Sequence, residues 1–130
     1  MNTALLVVDI QNDYFPGGAM ELAGADEAGA RASQLLEAFR ERALPIFHVQ
    51  HIAAHPGATF FLPDTPGAEI HEAVRPKGGE AVFQKHYPNS FRETPLLDRL
   101  KRGGIDRLAI VGMMTHVCID TTTRAAADLG

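Results

Sequence analysis

The apolar positions of this 130-residue chain follow two alternating patterns. Residues 4–8 (ALLVV) and 108–111 (LAIV) are short unbroken apolar runs, as expected of parallel strands covered on both faces. Residues 45–49 (PIFHV) and 81–83 (AVF) read as two further strands, the second leading into Gln84 and Lys85. Between residues 8 and 45, Ala28, Ala32, Leu35 and Phe39, joined by Leu36 and Ala43, recur three and four apart. They predict an amphipathic helix with Asp26 as N-cap. Thr94 as N-cap and Pro95 at the first helical position open a second helix through Leu96, Leu97 and Leu100, with Gly103 just past its end. After residues 108–111, Gly112 turns the chain and Thr115 is placed to cap a third helix whose third position is Cys118. Strands alternating with helices predict one α/β domain over residues 1–130, a three-layer sandwich around a mainly parallel, Rossmann-like sheet. Residues 51–79, rich in proline and glycine and without a sustained period, read as a long surface excursion.

Composition narrows the picture by exclusion. Hydrophobic residues make up 45% and charged residues 22%, ordinary for a globular domain, and the net charge is -4. With no Lys/Arg cluster, neither nucleic acid nor an anionic membrane is expected as a partner. A single cysteine forms no internal disulfide, and the first residues show neither a basic stretch nor a long apolar segment, so a cytoplasmic location is the expectation.

The candidate chemistry comes from where the polar residues fall on this frame. Ligands of open parallel sheets bind outside the carboxyl ends of the strands. Asp9, Lys85 and Cys118 each follow such an end, so the fold brings an acid, a base and a thiol to one edge. A thiol early in a helix is expected to have its thiolate favoured by free amides, the helix dipole and a nearby lysine. Asp9 suits proton transfer to and from it, and backbone N–H groups around the turn at residues 112–115 suit a tetrahedral oxyanion. Against this stands the reading of Cys118 as a small buried hydrophobe, of Asp9 as a loop cap and of Lys85 as a surface charge.

Residues 9–20 (DIQNDYFPGGAM), 83–91 (FQKHYPNSF) and 111–122 (VGMMTHVCIDTT) resemble, in order, the three signature blocks of the isochorismatase-like cysteine hydrolases, among them nicotinamidases, carbamoylsarcosine amidases and ureidoacrylate amidases. The resemblance implies that fold, a catalytic triad of Asp9, Lys85 and Cys118, a cis peptide bond at Met113–Met114, and an oxyanion hole of the Met114 and Cys118 backbone amides. It implies a small-molecule substrate, no cofactor and a homo-oligomer. Because Cys118 is present, it favours cleavage of a small amide or ureido compound through a thioester. A vinyl ether hydrolase of the isochorismatase type is the alternative, and outside the enzymes a redox-sensing or small-molecule-binding protein with an exposed thiol.

Tyr14 matches a pocket-lining aromatic of that family, and residues 57–71 are expected to complete the wall through Phe60 and Phe61, which equally suit a subunit contact. Nicotinamidases hold a metal through an Asp-x-His pair and further histidines. His48, His51, His55 and His71 surround the long excursion, but Val49 stands two residues before His51, so no metal is expected and these read as surface or pocket-lining residues, with His51, His55 and His71 as the remaining candidates and His116 and His86 as helix-start and loop residues. Relatives continue beyond the third block. The sequence is therefore expected to be a shortened or incomplete form lacking C-terminal strand and helix units, with a bare, association-prone edge at residues 108–111.

Overall fold

The computed structural model describes residues 2–130, except for the side chain of His116. Four parallel strands, β1 (Thr3–Val8), β2 (Ile46–His51), β3 (Ala81–Lys85) and β4 (Arg107–Gly112), form one sheet in the order β3-β2-β1-β4. Helices α1 (Ala25–Glu41), α2 (Leu96–Arg102) and α3 (Asp120–Leu129) complete the chain.

The unbroken apolar run of β1 has the cause its pattern suggests. Leu5 and Val7 point into a core shared with Ala32, Leu36 and Phe39 of α1. Ala4, Leu6 and Val8 point into a second core with Phe47, Val49, Phe83, Leu96 and Leu100. Three layers result, with the apolar faces of β1 covered on both sides. β4 lies at the sheet edge, with β1 as its paired neighbour, and its apolar residues are half-buried. Among the described residues no helix is long and apolar enough to cross a membrane.

Helix boundaries and faces depart from the sequence pattern in small ways with local causes. Gly24, in a left-handed conformation, rather than Asp26, precedes the first residue of α1; Asp26 and Glu27 instead place negative charge in the first turn, where the helix dipole favours it. The buried stripe is Ala25, Gly29, Ala32, Leu36 and Phe39, so Ala28 and Ala43 face solvent and Leu35 is half-covered. Leu36 is fully buried, and its truncation to alanine removes packing worth about 3 kcal/mol. Pro95 flanks α2 instead of sitting inside it. Thr94 still serves its start: its hydroxyl accepts from Leu96 N at 3.4 Å while donating to Ser90 O at 2.6 Å.

Residues 51–79 are more firmly held than a surface excursion. Gln11 bridges to Ile70, and its side-chain amide donates to Ala68 O at 2.7 Å and His51 O at 2.8 Å. Asn12 donates to Pro66 O. Asp13 accepts from the backbone amides of Phe61 and Ala19, and a Cβ at Gly67 would collide with its carboxylate. Phe61, Ala68 and Val74 are buried as a result. The QND tripeptide after β1 thus fastens the segment that walls the site.

Candidate active site

The strand order changes direction at β1: the chain passes from β1 to β2 on one side and reaches β4 on the other. A crevice opens at the carboxyl ends of strands at such a switch point. Asp9 leaves β1 with a left-handed backbone (φ 57°), a conformation aspartate tolerates better than most residues. Gly112 ends β4 with φ 155°, and any Cβ there would overlap the Val8 carbonyl, so β4 and β1 approach closely only because this residue is glycine. The next peptide bond, Met113–Met114, is cis. Residues Thr115–Ile119 then form one π-helical turn leading into α3.

This local geometry corrects two expectations. Thr115 is not a cap: Met114 precedes the turn, with no side-chain capping bond, and Thr115 is exposed. The Cys118 thiol is not activated in the resting site. Burial is the main cause and the neighbouring Asp9 charge the second; together they outweigh Lys85 and push the thiol up to about 12. An exposed low-pKa thiol is therefore absent, since Cys118 is only 6% exposed.

The expected triad residues do converge. Lys85, fully buried, places Nζ 3.0 Å from Asp9 Oδ2 and donates to Cys118 Sγ at 3.4 Å, Tyr87 O at 3.0 Å and His51 Nδ1 at 3.0 Å. Asp9 is also fully buried, and neither carboxylate oxygen meets a donor at hydrogen-bonding geometry among the described residues. Burial raises its pKa above the usual carboxylate value, with the Lys85 ammonium opposing that shift. The site thus holds an unsatisfied carboxylate beside a proton-bearing thiol, the arrangement a proton acceptor needs. Among the described residues no carbonyl accepts from the Met114 amide.

Cys118 forms part of the lining of a cavity of about 250 Å³. Tyr14, Phe60 and Phe61 all face it, with ring centroids 4.7 Å apart for Tyr14 and Phe61 and 5.0 Å for Phe60 and Phe61. Phe61 is 1% exposed, so packing within the chain rather than a subunit contact accounts for it. Tyr14 is buried too, and burial followed by the Asp9 and Cys118 charges raises its phenol, which stays protonated. The rim is fixed by α3: the fully buried Thr122 hydroxyl accepts from Ser90 N at 3.0 Å.

The histidines separate. His71 stacks on Phe15 at 3.7 Å and its Nδ1 accepts from Ala73 N. His55 and His86 are exposed at the cavity mouth. His48 is buried against Glu80. His116's side chain lies outside the described residues. A centre built on His51, His55 and His71 does not fit: among the described residues the ligand-capable cluster is Asp9, His51 and Cys118, with the Lys85 ammonium bonded to it, and Val49 offers no donor atom. His51 was undervalued by the sequence. It faces Lys85 across the β2–β3 register, a pairing invisible without the sheet.

Comparison with known proteins agrees with this architecture. Over all 130 residues the chain is 52% identical to the uncharacterized isochorismatase family protein YddQ of Bacillus subtilis, covering 72% of that protein. It is 32% identical over 148 aligned residues to the nicotinamidase/pyrazinamidase of Mycobacterium tuberculosis, covering 98% of this chain and 80% of the relative. The crystal structure of N-carbamoylsarcosine amidase from Thermoplasma acidophilum superposes with a TM-score of 0.90 at 27% identity, over 97% of this chain and 76% of that one. The family model described as the isochorismatase domain matches residues 3–130, and with that match running through almost the whole sequence the chain belongs to the isochorismatase family of hydrolases.

Proposed function

We propose that this chain is a cysteine-dependent amidohydrolase that cleaves a small amide or ureido compound through a thioester, with Asp9, Lys85 and Cys118 as its catalytic residues. The observation that carries the reading is the meeting of a buried thiol, an unsatisfied carboxylate and an ammonium at a small aromatic cavity. In the proposed cycle Cys118 Sγ attacks the carbonyl carbon as its proton passes to Asp9. The oxyanion is received by the backbone amides of Met114 and Cys118. Collapse breaks the C–N bond, Asp9 returns the proton to the departing nitrogen, and ammonia or an amine leaves. Water, deprotonated by Asp9, then hydrolyses the thioester and regenerates the thiol. Lys85 holds Asp9 and offsets the charge that moves onto sulfur.

The high thiol pKa is compatible with this cycle, because a transfer coupled to attack avoids a free thiolate beside a carboxylate. It weighs against a redox sensor, which depends on a standing thiolate. The relatives named for amide substrates, a nicotinamidase and a carbamoylsarcosine amidase, lend support. Ammonia release is to be measured across nicotinamide, carbamoyl and ureido compounds, with mass spectrometry of quenched protein to detect an acyl adduct on Cys118. Turnover with an adduct is expected; turnover retained by Cys118→Ala would overturn the assignment.

A further inference from the structure

The segment between Lys85 and α2 is tied to the nucleophile's own helix by one hydroxyl. Thr122, four residues beyond Cys118, is fully buried, as is Ser90, its partner across the rim. Thr122 Oγ1 accepts from Ser90 N at 3.0 Å, lies 2.9 Å from Ser90 Oγ and donates to Pro88 O at 3.3 Å. A hydroxyl carries one proton and two lone pairs, so with that proton on Pro88 O both Ser90 groups donate to it and its capacity is full. Ser90 has nothing left over either: its carbonyl accepts from Thr94 Oγ1 at 2.6 Å, just before α2. α3, α2 and the segment after β3 therefore meet at a satisfied polar contact closed to solvent, where each bond is stronger than on the surface.

The residue before Pro88 gives this contact a chemical consequence. The Tyr87 carbonyl accepts from Lys85 Nζ at 3.0 Å. An ammonium has three N–H groups in fixed tetrahedral directions, and here they go to Tyr87 O, His51 Nδ1 and Cys118 Sγ. Asp9 Oδ2 lies equally near, at 3.0 Å, yet receives none of them at bonding geometry. Two acceptors that take no part in the chemistry thus turn the third N–H onto the thiol. Thr122 closes the circuit: from Cys118 along the helix to its hydroxyl, across to Pro88, back to the Tyr87 carbonyl and through Lys85 Nζ to Cys118 Sγ. With Tyr87 O displaced, an N–H is released beside an unsatisfied carboxylate, the strongest acceptor within reach. Asp9 then gains the bond whose lack suits it to take a proton.

We propose that Thr122 is a positioning residue: paired with Ser90, it holds the Tyr87 carbonyl where it keeps the Lys85 ammonium directed at Cys118 rather than bonded to Asp9. Its effect on turnover rests on the amidohydrolase reading, whereas its effect on the ammonium is seen without any substrate. Thr122→Val keeps the shape of the side chain and leaves Ser90 N, Ser90 Oγ and Pro88 O without their partner. Kinetics on the most rapidly cleaved amide, per folded molecule, are expected to show kcat lowered about thirtyfold with KM changed by less than about twofold, and Thr122→Ser should recover most of the loss. In protein isotopically labelled at its lysine side-chain nitrogens, Lys85 is the buried ammonium while Lys77 and Lys101 are exposed, so NMR identifies its Nζ resonance as the slowly exchanging one. That resonance should shift and exchange about tenfold faster in Thr122→Val, and return in Thr122→Ser.

A lower urea midpoint with kcat and the Lys85 resonance both unchanged would make Thr122 a fold contact alone and overturn the positioning role, as would a Thr122→Ser variant no better than Thr122→Val. Should Thr122→Val not fold, Ser90→Ala carries the test, since it removes only the bond between the two hydroxyls. About a fivefold loss of kcat with the same resonance shift then sustains the role, and no change in either overturns it. A Lys85 resonance shifted by Thr122→Val and restored by Thr122→Ser, in a protein that cleaves no amide, would sustain the positioning role while removing the amidohydrolase reading.

Discussion

Two charge clusters, one half-buried around Glu80 and one fully buried around Asp9, are built from similar residues and set to opposite ends. In one, Glu80 accepts from Arg40 Nε at 2.7 Å and Nη2 at 2.8 Å, from His48 Nε2 at 2.8 Å and from Lys77 N at 3.1 Å. Hydrogen bonding, chiefly from Arg40, lowers the Glu80 carboxyl to about 2, so it is ionised at neutral pH. In the other, Asp9 has an ammonium within 3.0 Å but no well-directed donor, and burial raises its pKa. A carboxylate that is fully hydrogen-bonded ties α1 to the sheet; one left short of donors retains its appetite for a proton. Full burial on one side and hydrogen bonding on the other separate the two acids: desolvation dominates at Asp9, and the bonds from Arg40 dominate at the half-buried Glu80.

The comparison breaks most visibly at the thiol. Cys118→Ala, Asp9→Asn and Lys85→Ala are each expected to lower amide turnover by at least about a thousandfold, and the triple variant should be no worse than Cys118→Ala, since groups that act as one unit lose activity together. Circular dichroism and urea midpoints should show Cys118→Ala folded, and additive losses in the triple variant would separate the three residues.

Glu80→Gln should do the reverse, costing about 3 kcal/mol in urea denaturation while the folded enzyme keeps its turnover rate. The pH dependence follows from a folded-state pKa near 2 against an unfolded value near 4.5. Because the folded value is the lower one, the carboxylate's contribution is complete above about pH 4.5 and disappears as pH falls towards 2. The stability gap between wild type and Glu80→Gln should close over that window; a gap constant down to pH 3 would show that Glu80 is not the ionised anchor.

A smaller effect concerns the acid limb of kcat/KM. Asp9 must be unprotonated to accept the thiol proton, and its raised pKa places the limb above 3.8, the ordinary aspartate value. A limb at or below that value in the free enzyme would indicate a different base. The smallest expected effect is none: exhaustive chelation should leave activity unchanged. Loss with recovery on zinc, iron or manganese would make the Asp9, His51 and Cys118 cluster a metal site.

The alternation of apolar runs with helical periodicity was enough to specify a parallel α/β frame, because strands covered on both faces require unbroken apolar runs and a one-sided helix requires a stripe. The order of Asp9, Lys85 and Cys118 along that frame was legible for a related reason: residues just past strand ends share one edge whatever the register. The resemblance of three blocks placed the chain in its family, and the match over residues 3–130 agrees. What tertiary structure alone decided was electrostatic. Thr115 and the helix start favour a thiolate in isolation, yet the π-helical turn buries Cys118 beside a carboxylate, and that desolvation reverses the sign of its shift. His51 is an ordinary strand residue until the β2–β3 register sets it opposite Lys85. Residues 51–79 lack any period because their order comes from side chains of Gln11, Asn12 and Asp13, roughly 50 positions away in the chain, and such long-range hydrogen bonds leave no local pattern to read.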